Sequence, residues 1–252
     1  RVVALMDAPT PQNRGEQLSQ TFGFSEVDSS EREEKIRAVF EAVAPRYDLM
    51  NDVMSFGIHR IWKRRFVHKV EPKPQELVVD LAGGTGDIAR NMAAKGCHVL
   101  VIDPSEAMMA EGRKRNLTNV EFRVGAGESI PLEDSSVDRL TISFGIRNTT
   151  DMEQTLREIV RVLKPGGRFY CLEFSRPAWW LKPFYDFHSF YIIPRLGAWI
   201  AKAPIAYTYL VESIRRFPDQ EEMKVLIETA GFSTVHYQNL SFGIACIHIG
   251  KK

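Results

Sequence analysis

Cysteine is scarce in this chain. Cys97, Cys171 and Cys246 are the only three in 252 residues, far apart and without C-x-x-C spacing. That excludes a disulfide framework and a thiolate metal knuckle, and they read as reduced, buried small side chains of a cytosol-like compartment. The six histidines form no H-E-x-x-H and no tight cluster, so no metal is expected. An excess of charge of one sign is missing as well: 33 Lys and Arg stand against 32 Asp and Glu, a net +1. This gives no support for nucleic acid as a partner. The N-terminus has no apolar core of signal-peptide length. The chain opens on Arg1 rather than Met, which leaves room for a removed targeting segment. Nor does any window suit a membrane span. The most apolar region, 176–216, is interrupted by Pro183, Pro194 and Pro204 and charged by Lys182, Asp186, Arg195 and Lys202.

The organising stretch is Leu77-Val78-Val79-Asp80-Leu81-Ala82-Gly83-Gly84-Thr85-Gly86-Asp87. A short β-branched run ends in an acid, breaks into glycines and leads into the helix-forming Ile88–Ala93. Glycines let backbone approach a ligand where a Cβ would block it. A second acid, Asp103, closes the next strand candidate, Val99–Ile102. It lies about 20 residues past the glycine turn, the separation from which a carboxylate reaches ribose hydroxyls. A nucleoside-bearing cofactor across the first strand ends is therefore expected. The spacing of Asp80, Ala82, Gly84 and Gly86 is not the dinucleotide G-x-G-x-x-G, which disfavours an NAD-dependent oxidoreductase. It resembles the first motif of class I methyltransferases, which bind S-adenosylmethionine.

The flanking chain reads as one large domain with additions. Residues 1–28 are polar and predict a mobile arm. Residues 29–252 predict a single domain, with 29–74 as a helical cap and 176–216 as an inserted helical lid. In the cap, Ser30 and Glu33 predict a capping box, ahead of Ile36, Val39, Phe40 and Val43 at helical spacing, with Pro45 closing the helix. Residues 47–57 mix polar and large apolar groups, as a substrate wall would, or as a capped turn would. Ile58–Val70 is a basic amphipathic helix carrying Arg60, Lys63, Arg64, Arg65 and Lys69: a solvated face on a packed helix, or a surface for an anionic membrane. Strands are predicted at Leu77–Leu81, Val99–Ile102, Val120–Val124, Arg139–Ser143 and Arg168–Phe174, alternating with helices at Glu106–Arg115 and Met152–Leu163. After the helix Glu221–Ala230, an antiparallel pair is expected at Thr234–Leu240 and Ile244–Ile249. The lid's Trp179, Trp180, Phe184, Tyr185, Phe187 and Trp199 would suit an apolar substrate, or fill a core or a homodimer interface.

Ligands in such sheets bind at the carboxyl ends of strands. The candidates there are Asp80, Gly84, Thr85, Gly86, Asp103, Gly127, Glu128, Ser143, Gly145, Arg147 and Asn148. The Asn/Asp-Pro-Pro-Tyr/Phe sequence of amino-group methyltransferases is missing after the fourth strand. Its place is taken by Ser143-Phe144-Gly145-Ile146-Arg147-Asn148. With Tyr47–Asp52, Gly57–Lys63, Asp80–Asp87, Arg161–Arg168, Leu172–Ser175 and Glu212–Gln220, this resembles the ubiquinone/menaquinone-biosynthesis C-methyltransferase family over nearly the whole chain from Phe22 on.

The resemblance implies an α/β fold: a Rossmann-like seven-stranded sheet with its last strand antiparallel. It implies S-adenosylmethionine as cofactor and methylation of a ring carbon of a polyprenyl benzoquinol, of demethylmenaquinol, or of both. Thr85, Asp103 and Ser143 match cofactor-contacting positions, with Asp103 on the ribose. Ala126-Gly127 stands where the family has Asp or Asn followed by Ala, which removes one polar contact to the adenine, worth ~0.5–1.5 kcal/mol. Pro104-Ser105 and Ala206 are further departures. Ring methylation requires a hydroxyl to lose its proton. Arg147 cannot accept it, because guanidinium stays charged, so its expected role is to stabilise the phenolate. Asn148 and Tyr47 would orient ring oxygens, with a salt bridge to Asp151 as the alternative use of Arg147. The proton acceptor is left open among Asp48, Asp52, His59, His188 and water. Contact with the cytoplasmic face of a bacterial inner membrane is expected from the lid and the basic helix, or with the matrix face of the mitochondrial one if a targeting segment was removed. The competing reading, prompted by Ala126, is a non-catalytic scaffold subunit of a quinone-biosynthesis complex.

Overall fold

The computed structural model describes residues 18–193, 195 and 204–252. A small hairpin, β1 (Thr21–Phe22) and β2 (Ser25–Glu26), precedes three helices: α1 (Ser29–Val43), α2 (Tyr47–Ser55) and α3 (Ile58–Val70). The sheet then alternates with helices: β3 (Leu77–Leu81), α4 (Asp87–Ala93), β4 (His98–Asp103), α5 (Glu106–Arg113), β5 (Val120–Val124), β6 (Val137–Ser143), α6 (Met152–Val162) and β7 (Leu163–Phe174). Residues 176–216, expected to form a lid, contribute α7 (Lys182–Phe187), a π-helical stretch at His188–Ile192, and α8 (Pro204–Arg216). The chain closes with α9 (Gln220–Thr229), β8 (Thr234–Leu240) and β9 (Ala245–Lys251).

The seven strands lie in the order β5-β4-β3-β6-β7-β9-β8, with β9 antiparallel to both neighbours and the other pairings parallel. This is the expected fold. Strand order reverses between β3 and β6, which opens a crevice at their carboxyl ends. Val78 and Val79 are fully buried on opposite faces of β3, as a strand covered by helices on both sides requires.

Several boundaries differ from expectation. Asp28, not Ser30, caps α1: its carboxylate accepts from Glu31 N at 2.8 Å and from Ser30 Oγ at 2.6 Å. One carboxylate oxygen of Asp28 accepts both bonds, satisfying a free N–H at the helix start. Pro45 lies in a 3₁₀ turn, Ala44–Arg46, that leads straight into α2, so residues 47–55 are a helix. β7 begins at Leu163, because the segment after α6 already pairs with Val137 across an irregular register. Residues 21–26, placed by sequence in the arm, form the hairpin, and Phe22 stacks on Tyr209 at 4.4 Å. The lid's Pro194, Trp199 and Lys202, and residues 1–17 of the arm, lie outside the described residues.

The basic helix α3 is a packed helix with a solvated face. Trp62, Phe66, Val67 and Val70 are buried, while Arg64, Arg65 and Lys69 face solvent. Lys63 departs from that face: it is buried and donates to Asp87 at 2.8 Å.

Candidate active site

The glycine turn after β3 forms the floor of a cavity of about 470 Å³. Gly84 and Gly86 adopt φ of +53° and +72°, a region costly for residues with a Cβ. A Cβ on Gly84 would also come within 3.0 Å of Met108 Cε, and one on Gly86 within 3.0 Å of Phe122 Cζ. Asp80, at the end of β3, is buried and receives Thr141 Oγ1 at 2.8 Å on one oxygen, while Oδ2 has no partner. Burial pushes its carboxyl up to about 7. Asp103, at the end of β4, accepts from Gly84 N at 2.9 Å and Ser105 N at 2.8 Å, and burial pushes it up to about 6 despite those bonds. Thr85, Ala126, Gly127 and Ser143 complete the predicted lining, and Ser143 Oγ is another buried oxygen without a partner. Gly127 fits only without a side chain, since a Cβ would lie 2.8 Å from Thr155 Cγ2. The predicted cofactor residues other than Gly86, which caps α4, therefore line one cavity. Its unsatisfied acceptors ask for the hydroxyl and ammonium donors that S-adenosylmethionine carries.

A second cavity, of about 310 Å³, lies alongside and is mainly apolar, with walls from α1, α2, α3, the lid helices and the loop after β6. Tyr47, Asn148, Phe40 and Phe144 line both cavities, so the two meet at these side chains. Arg147 lines the apolar cavity. The expected alternative partner, Asp151, is elsewhere: its carboxylate caps α6 by accepting from Gln154 N at 2.8 Å. Arg147 instead donates to Glu173 on β7, and both side chains are buried. Burial drives the Glu173 carboxyl up and the Arg147 charge opposes that shift. Arg147 Nε and Glu173 Oε2 remain without partners. Asn148 donates weakly to Phe144 O at 3.4 Å and accepts from Tyr209 on α8 at 2.9 Å.

Several contributors were not assigned a role by sequence reasoning. Glu173 carried a signal, a charge within an apolar strand, but its partner is 26 residues away. Arg32 carried none. It is buried and donates to Thr21 O at 2.8 Å, Thr149 O at 2.7 Å and Arg147 O at 3.0 Å, tying the hairpin and α1 to the loop that carries Arg147 and Asn148. Trp62 Nε1 donates to Ser241 Oγ at 2.9 Å and anchors α3 to the corner between β8 and β9. Among the described residues no group of His, Cys, Asp and Glu is arranged to hold a metal ion, and no helix is long and apolar enough to cross a membrane.

The chain is similar to known proteins over nearly its whole length. A protein of *Rubrivivax gelatinosus* named ubiquinone/menaquinone biosynthesis C-methyltransferase UbiE is 61% identical over 247 residues, 98% of this chain and 96% of its own. The protein of that name from *Acidiphilium cryptum* is 51% identical, covering 91% of this chain and 95% of its own. Among solved structures, a SAM-dependent methyltransferase of *Thermotoga maritima* matches with a TM-score of 0.62 at 21% identity, covering 85% of this chain and 99% of its own. A putative methyltransferase complexed with the Trm112 activator of *Haloferax volcanii* matches at 0.61 and 19%, covering 84% and 96%. At such identities these two bear on the fold alone. The cofactor is S-adenosylmethionine and the protein is an enzyme, not a scaffold. The model of the ubiE/COQ5 methyltransferase family matches residues 28–252, and with relatives this similar over their whole length the chain belongs to that family.

Proposed function

We propose that the apolar cavity holds the ring and first isoprenoid units of a polyprenyl quinol, and that a ring carbon is methylated where the two cavities meet. The observation that carries this reading is the shared wall of Phe40, Tyr47, Phe144 and Asn148. A ring lying on that wall is within reach of the cofactor cavity, and its tail has mainly apolar surface to follow. When bound, S-adenosylmethionine supplies a methyl carbon on a positively charged sulfur, open to in-line displacement at near contact distance. Asp103, Asp80, Thr85, Gly84, Gly127 and Ser143 seat it, with Ala126 at the adenine end and Gly86 shaping the turn.

The rest is done by this chain's own side chains. Arg147 holds a fixed positive charge beside the ring, where water is excluded, and stabilises the phenolate oxygen. Glu173 keeps that charge from being buried uncompensated. Asn148, its carbonyl taken by Tyr209 and one amide hydrogen by Phe144 O, turns its other amide hydrogen to a ring oxygen, and Tyr47 orients the opposite side. The cap at 29–74 and the lid at 176–216 act as walls added to a single methyltransferase domain. Phe56 and Phe184 of the cavity wall are exposed, as are Trp179 and Phe187 close by in the chain, with Lys182, Arg60 and Arg176 also exposed. This face would rest on an anionic membrane and draw the tail from it.

The test is methyl transfer from labelled cofactor to a panel of short-tailed benzoquinols and naphthoquinols under reducing conditions. Ring-methylated product from at least one is expected. No product from any, with cofactor binding intact, would overturn the reading.

A further inference from the structure

A quinol ring carbon becomes a good nucleophile only once its neighbouring hydroxyl loses its proton, and an unperturbed phenol keeps that proton to a pH near 10. The acceptor must line the apolar cavity, be unprotonated at neutral pH and hold a free lone pair. Arg147 has no lone pair to offer. Asp48 is engaged by Arg115 at 2.6 Å and stands outside that cavity. Asp52 is behind the wall, gripped by two nitrogens of Arg60 at 2.6 Å each, which hold its carboxyl well below the ordinary range. Two histidines line the cavity, His59 and His188.

They differ in what stands behind them. The ring of His188 packs against exposed Phe56 at 5.1 Å, and its buried Nε2 has no partner. His59 is 5% exposed, and its Nε2 lies 2.8 Å from Asp52 Oδ1. An ionised carboxylate only accepts, so Nε2 carries the hydrogen and Nδ1 keeps the lone pair. Nδ1 is buried and has no hydrogen-bond partner. One turn further along α3, Lys63 lines the cofactor cavity, so a single turn of this helix spans the two sites.

We infer that His59, its tautomer and orientation set by Asp52, takes the hydroxyl proton of the quinol. His59 is then a catalytic residue and Asp52 a positioning residue. The inference rests on the apolar cavity being the quinol site. The O–H bond breaks, its electron pair stays on oxygen, and the proton bonds to Nδ1. The ring carbon gains its methyl group as the carbon–sulfur bond breaks toward sulfur, then sheds its own hydrogen as a proton to solvent, and the phenolate this regenerates takes the first proton back from His59. One proton is released per methyl transferred, which balances the lost sulfonium charge. The charged groups acting on His59 are Asp52 from α2, Lys63 from α3 and Asp87 from α4, with Arg60 bound to Asp52. Burial lowers the affinity of the imidazole for a proton, Asp52 and Asp87 raise it and Lys63 lowers it, with a net shift below the ordinary value. The ring is therefore neutral and ready to accept at pH 7.

The experiment has two readouts on the full chain. First, a redox-inert prenylated nitrophenol is titrated without cofactor and its ionisation followed by absorbance. The bound reporter should ionise at lower pH on the wild type than on His59→Gln. Second, kcat is measured against pH with a short-tailed quinol. His59→Gln should lower kcat about 10²-fold or more, erase the acid limb and leave cofactor affinity within threefold. Asp52→Asn removes a charge that favours the imidazolium, so its acid limb should move to lower pH. Added imidazole should restore turnover to His59→Ala. The inference is overturned if His59→Gln keeps kcat within threefold, or if His188→Gln rather than His59→Gln removes the acid limb. Failure of the quinol-site reading looks different: the wild type itself would neither bind the reporter nor turn over.

Discussion

The hydroxyl of Tyr209 donates to Oδ1 of Asn148 at 2.9 Å, across 61 residues of sequence. The bond fixes which end of the Asn148 amide faces the cavity, because the oxygen is occupied and, with one amide hydrogen on Phe144 O, the other is left for a ring oxygen. It also links α8 of the lid to the loop after β6. Tyr209→Phe keeps the ring that stacks on Phe22 and removes only this bond. A neutral hydrogen bond is worth ~0.5–1.5 kcal/mol, so kcat should fall about 2- to 12-fold with cofactor affinity unchanged, read in the labelled-methyl assay. An unchanged kcat would remove Tyr209 from the site.

Arg147 and Glu173 are a buried ion pair, so the two halves are not interchangeable in a mutant series. Arg147→Lys should fold and lose most turnover, since one ammonium cannot reproduce the planar fork. Glu173→Ala leaves the guanidinium buried without its counter-charge and should destabilise the fold by about 3–5 kcal/mol. Glu173→Gln, which keeps shape and one acceptor, should cost less. Denaturant melts of the three variants check the order, and equal melts for Glu173→Ala and wild type would contradict it.

Cofactor affinity should depend on pH through Asp103 and Asp80, whose carboxyls are raised to about 6 and about 7 by burial. The ionised forms accept the donors of the cofactor, so bound cofactor draws both affinities for protons back down. Binding near pH 6 therefore releases protons, and affinity falls as pH drops through 7 and 6. Calorimetry in buffers of different ionisation enthalpy measures the release. Asp103→Asn should reduce it, and a proton count that this variant leaves unaltered would exclude Asp103 as a source.

Ala126 is exposed at the rim of the cofactor cavity, where relatives by resemblance carry an acid or an amide. Ala126→Asp should restore one polar contact to the adenine. At ~0.5–1.5 kcal/mol for that contact, the dissociation constant should fall about 2- to 12-fold. A weaker complex would mean that the loop geometry set by Gly127 does not admit the acid.

Trp179 and Phe187 are exposed and belong to neither cavity wall. Trp179→Ser with Phe187→Ser should weaken co-sedimentation with anionic liposomes while leaving turnover of a water-soluble quinol in place. Association of the wild type should fall with added salt. Liposome binding that is absent, or unaffected by the double substitution, would argue against this face as the membrane contact.

Much of this protein is a consequence of local sequence. Leu77–Leu81, Val120–Val124, Ile58–Val70 and Thr234–Leu240 are found as expected, because a β-branched run or a 3.6-residue apolar period admits few structures. Asp80, Gly84, Thr85, Asp103 and Ser143 meet in one cavity because strand ends and glycine turns carry their own geometry. Long-range partners are another matter. Nothing near Arg147 in the chain points to Glu173 on the next strand, and nothing near Arg32 points to the carbonyls of Thr21, Arg147 and Thr149. The same holds for the basic helix, where Lys63 turns inward to Asp87 while Arg64 and Arg65 face water. Period and propensity act over one or two turns, whereas the pairing of a buried charge is settled by whichever opposite charge the packed layers bring beside it.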